Sequence, residues 1–60
     1  MRFSTFWEQL EAQLGEIYAK SYAQDQVISD LGCTPVRAFE LGFEPIVVWR
    51  AIASQEGWPD

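Results

Sequence analysis

The sequence predicts an all-α fold, a single small domain over residues 1–60 built as a bundle of four or five short helices. Three observations predict it. Apolar residues recur three and four positions apart, the spacing of one helix face, and no alternating run of strand length occurs. Gly15, Gly32, Gly42 and Gly57 each follow such a stretch, where helices commonly end in a left-handed residue. Thr34-Pro35 and Glu44-Pro45 open two further stretches, because proline fits a first helical turn whose amides have no intrahelical acceptor.

The first helix is expected to begin at Ser4 or Thr5. Thr5 and Glu8 have the spacing of a capping box, in which each side chain satisfies a free backbone donor. Phe3, Trp7, Leu10 and Leu14 form its apolar stripe, with Phe6 beside it, and Gly15 ends it. An amphipathic helix lying on a membrane would carry lysines where this one carries Glu8 and Glu11, so the stripe reads as core.

The next stretch, "EIYAKSYAQDQVISDL", changes phase. Tyr18 and Tyr22 share one face, whereas Val27, Ile28 and Leu31 lie about a third of a turn away. A break near Asp25 accounts for this, with the Asp25 carboxylate capping a second helical half that Gly32 closes. A short helix from Thr34-Pro35 follows, turning Val36, Phe39 and Leu41 inward before Gly42. The last helix runs from Pro45 with Val48, Trp49 and Ile52 buried, and Gly57 and Pro59 stop it. Phe6, Leu10, Leu14, Tyr18, Ile28, Leu31, Phe39, Val48, Trp49 and Ile52 should make one core.

Size and composition bound the function. A chain of 60 residues buries only roughly 60% of its unfolded surface and has no volume to spare for an enclosed active site. With no histidine and one cysteine, Cys33, neither a zinc site nor an intramolecular disulfide is available, which fits a reducing cytoplasm. Ser4, Ser21, Ser29 and Ser54 have no histidine to activate them. Cys33 follows a helix end, so it lacks the helix dipole that makes a thiol reactive. No glycine-rich phosphate loop is present. No catalytic residue, cofactor or metal ligand is therefore expected, and Glu8 and Glu11 interrupt the N-terminal segment before it could be a signal peptide or a membrane span.

Residues 27–41 have the outline of a helix-turn-helix corner. Nine acidic against four basic residues give a net charge of −5, which repels phosphate backbones. A recognition helix reads bases through exposed Arg, Lys, Asn or Gln; "TPVRAFEL" offers only Arg37, opposed by Glu40. A corner of a bundle is the expected reading, with weak nucleic-acid binding as the alternative. The acids are scattered, so the chain does not mimic DNA either.

Five short motifs in order resemble a known family. Phe6-Trp7-Glu8 matches its "FWE"-like opening, and Gly15, Tyr18 and Ala19 match "G-x-x-Y-A". Asp25 to Ile28 follow "D-H-V-L", and Leu31 to Thr34 follow "L-G-G-R-T". Pro45, Val48, Trp49, Arg50 and Ala51 match "P-x-x-V-W-R-A" in full. The family is the one called domain of unknown function 3046, small actinobacterial proteins often encoded close to recombinase A and its regulator RecX. The chain departs from its pattern in three places. Gln26 replaces the histidine, Ala53 stands where a cysteine is common, and "LGCT" is one residue short and lacks an arginine. The resemblance implies a cytoplasmic protein without an established activity, loosely linked by gene neighbourhood to recombination and repair.

Two expectations about sites follow. The family is polar at the two positions after the motif's proline, whereas here they are Ile46 and Val47. Both fall outside the stripe of Val48, Trp49 and Ile52, so with Phe43 they should form a small apolar patch open to a protein partner, unless a tail through Trp58 covers it. Arg50 should run its stem along the core and pair with Asp25 or another nearby acid. The expected function is a non-enzymatic, cytoplasmic protein-interaction module.

Overall fold

The computed structural model describes residues 1–59. Four helices form in order, α1 (Phe3–Leu14), α2 (Glu16–Asp25), α3 (Pro35–Glu40) and α4 (Pro45–Glu56), within a body of 24 × 22 × 21 Å. They close into a ring: α1 packs on α2, α2 on α3, α3 on α4, and α4 on α1. Long side chains span both diagonals of the ring. Phe6 and Phe39 meet edge to face at 4.9 Å between α1 and α3, and the Tyr22 hydroxyl of α2 donates to Glu56 Oε2 of α4 at 2.9 Å.

α1 starts earlier than its capping box implied. Arg2 holds the cap position in extended backbone, with no side-chain cap bond, and the Phe6 amide already donates to the Arg2 carbonyl. Phe3 is drawn into the first turn because its ring meets Phe39 at 4.9 Å. Thr5 consequently lies inside the helix, where it cannot act as a cap. Gly15 alone joins α1 to α2. Its φ of +88° serves both ends, its amide donating to Glu11 and its carbonyl accepting from Ala19.

α2 buries Ala19, Tyr22 and Ala23, and two small residues one turn apart let the neighbouring helix approach closely. Tyr18, expected in the core, is 57% exposed and leans on the edge of Tyr22 at 6.3 Å. Tyr22 takes its place, because the buried arc is centred on Ala19 and Ala23 rather than midway between the tyrosines.

The break near Asp25 is present, but the helix expected beyond it is not. Asp25 is the last residue of α2, and residues 26–34 form a non-helical connection. Ile28 and Cys33 pair as an isolated antiparallel bridge, and the Ile28 carbonyl accepts from both Leu31 and Gly32. Gly32 takes the left-handed conformation this tight turn demands, with φ +71°. The loop is held from across the molecule. Gln55 Oε1 accepts from the Ser29 amide at 2.7 Å, and Gln55 Nε2 donates to the Val27 carbonyl at 3.3 Å. A single helical turn here would leave most of its own amides and carbonyls unbonded; bridge and glutamine satisfy several of them. Ile28, fully buried, plugs the loop into the core.

α3 begins as the sequence implies. Thr34 is extended, its hydroxyl accepts from the Arg37 amide at 3.2 Å, and Pro35 occupies the first helical position. Pro35 and Ala38 are buried, and Val36 and Phe39 pack against the core from its rim. Leu41 does not turn inward: it caps α3 and is 56% exposed. α4 buries Val48, Trp49, Ala51, Ile52 and Ala53. Gly57 ends it in the left-handed conformation, the Trp58 amide donates back to Ala53, and the Trp58 ring settles on Trp49 at 5.9 Å. Phe6 is the centre of the interior, contacting the rings of Trp7, Phe39 and Trp49.

Candidate interaction surface

The corner between α3 and α4 presents the surface. After Glu40 the chain turns through Leu41 and Gly42, whose φ of +94° places Phe43 so that its amide closes on the Ala38 carbonyl. Pro45 then opens α4. Burial of Val48, Trp49, Ala51, Ile52 and Ala53 fixes the phase of that helix and turns Ile46, Val47 and Arg50 toward its flanks and outer side. Phe43 and Val47 are exposed and Ile46 half-buried, as the phase implies. The Trp58 tail lies on Trp49 and leaves Phe43 and Val47 open. Exposed Leu41 adds to this corner, and exposed Glu40 and Glu44 bracket it.

Asp25 and Arg50 are not brought together. The one salt bridge among the described residues is Arg37–Glu40, 3.4 Å along the exposed side of α3. Asp25 ends α2, Arg50 lies on the outer side of α4, and those two helices face each other across the ring's diagonal, joined there by Tyr22 and Glu56. Arg37, the single candidate base-reading residue of α3, is occupied by Glu40. The helix-turn-helix outline also changes. α2 and α3 are separated by the nine residues 26–34, whereas that motif joins its helices by a turn of about three or four.

Two features were missed in the sequence. At the α1–α2 corner, Ile17 is 85% exposed and, with Leu14 and Tyr18, borders an open depression of about 530 Å³. The signal was there in part, since Ile17 falls off every stripe the flanking residues define. Between α1 and α4 a second cleft of about 330 Å³ is lined by Met1, Gln9, Ile46, Trp49 and Arg50.

Among the described residues the interior carries one ionisable group, the Tyr22 phenol. Burial first, and then the hydrogen bond to Glu56, push its pKa well above the ordinary value. No buried side-chain polar atom lacks a partner among the described residues. Among these residues there is also no cluster of His, Cys, Asp or Glu able to hold a metal ion, and no helix is long and apolar enough to cross a membrane.

No curated protein and no solved structure matches the chain. A family model described as protein of unknown function, DUF3046, matches residues 1–60, the whole length. The motifs on which the resemblance rested lie in α1, α2, the 26–34 connection and α4, and the chain belongs to the DUF3046 family.

Proposed function

We propose that the chain is a non-enzymatic cytoplasmic interaction module whose protein partner seats on the α3–α4 corner. One observation carries the reading: within residues 41–47, Leu41, Phe43 and Val47 are 56%, 38% and 43% exposed, three large apolar side chains gathered at one corner. Apolar side chains gathered at one corner gain free energy when a partner removes them from water. Glu40 and Glu44 beside them, on a chain of net charge −5, favour a partner surface with an apolar anchor ringed by Lys or Arg.

The competing reading, a nucleic-acid-binding helix-turn-helix, has lost its short turn and its free arginine on α3. DNA affinity falling steeply with salt would revive it.

The test is Val47→Lys. Its fold should be retained, because Val47 is exposed, while partner capture and any self-association weaken. Recombinase A and RecX, suggested by the family's gene neighbourhood, are the first baits. Equal capture and equal sedimentation of the two proteins would remove the proposal. Unfolding of Val47→Lys would instead show Val47 to be core, against the helix phase observed.

A further inference from the structure

We infer that the cleft between α1 and α4 binds a carboxylate joined to a small apolar group. The lining divides by chemistry. Ile46 and the nearly buried indole of Trp49 give an apolar floor, with Met1 beside them. Gln9 from α1 and Arg50 from α4 supply N–H donors, and neither side chain bonds to another described residue. Among the described residues no acid lines this cleft, whereas the depression at the α1–α2 corner includes Glu16.

A guanidinium presents its donors as a flat fork that fits the two oxygens of a carboxylate. The volume of about 330 Å³ is at the lower end of small-molecule sites, enough for one ring or one short side chain. The overall charge does not gather anions here, since −5 repels them. Saturable binding at this place would have to come from direct contact with the donors that line it, and the Arg50 fork is the one shaped for a carboxylate. The inference does not depend on the partner reading above: small acids probe the cleft without a partner, and partner capture probes the corner without an acid.

The experiment is an NMR titration of the whole chain with benzoate and with N-acetylphenylalanine, the second standing for the end of a peptide. Benzamide and N-acetylphenylalanine amide serve as neutral controls of the same shape. The carboxylates should shift the Gln9, Trp49 and Arg50 signals saturably, and Arg50→Gln should weaken that binding by about tenfold or more. Tighter binding of benzoate would identify a free acid as the natural ligand class, and tighter binding of the acetylated amino acid a chain end. Arg50 is exposed, so Arg50→Gln should melt like the parent. Should it not, Gln9→Leu gives a second reading of the same cleft. Amides binding as well as acids, affinity unchanged in Arg50→Gln, or the absence of saturable shifts would overturn the inference.

Discussion

Replacing Tyr22 by Phe isolates the diagonal bond between α2 and α4. The phenyl ring keeps the buried volume and the edge contact with Tyr18, so no cavity opens. What is removed is one hydroxyl that donates to Glu56 at 2.9 Å. Hydrogen bonds to charged groups contribute about 1.5–3 kcal/mol, and neutral ones about 1 kcal/mol. Glu56 is exposed and regains water when the hydroxyl goes, so the loss belongs at the low end, about 1–1.5 kcal/mol. In a domain of this size that lowers the melting temperature by roughly 4–12 °C. The pH dependence is a second, independent reading. Because folding raises the Tyr22 pKa, its contribution is complete below the unfolded value of about 10 and is lost as the pH climbs above it toward the folded value. Thermal unfolding followed by circular dichroism, near neutral pH and again above about pH 10, should therefore show the parent losing its advantage over Tyr22→Phe. Equal melting at neutral pH, or parallel losses in alkali, would refute the argument that the hydroxyl is held in the fold.

Trp49→Ala should cost about 3–5 kcal/mol in a domain whose whole stability is of order 3–9 kcal/mol, so its cooperative thermal transition should be lost or strongly lowered; a melt little changed would show the ring is not in the core. Gln55→Ala should release the 26–34 loop, costing about 1–2 kcal/mol for two bonds, one to a backbone amide and one to a carbonyl. Native-state hydrogen exchange at the Ser29 amide should accelerate selectively, and unchanged exchange there would show that the glutamine does not hold the loop.

Much of α3 and α4 could be read from the sequence because local chemistry specifies their ends. Thr34 needs only its own hydroxyl and the Arg37 amide to cap α3, and Gly57 needs only its freedom at positive φ to stop α4. The failures have a different origin. Thr5 and Glu8 satisfied a local rule, yet a ring contact from Phe3 to Phe39, remote in sequence, extended the helix past it. Tyr18 and Tyr22 lie one turn apart, and the choice between them rested on Ala19 and Ala23, small residues that a search for large apolar stripes passes over. The composition of residues 26–31 permits a helix that Gly32 would close, while the actual supports of this stretch, the Gln55 side chain and the Cys33 bridge, lie outside the local pattern.

The same distinction separates the two site expectations. Exposure at the α3–α4 corner is a question of phase. Once Val48, Trp49 and Ile52 point inward, a rotation of about 100° per residue carries Ile46, Val47 and Arg50 out of the buried arc. No knowledge of the rest of the fold is required. An ion pair between Asp25 and Arg50 is a question of distance, and phase works against it: the rotation that frees Arg50 from the core also turns it away from the ring's interior, where α2 lies across the diagonal. The residue of α4 that does reach α2 is Glu56, on the inward side of the last turn, and its acceptor function selects Tyr22 as partner. Phase thus leaves Arg50 on the outer side beside Trp49 and Ile46, able to meet a group from outside the molecule rather than one within it.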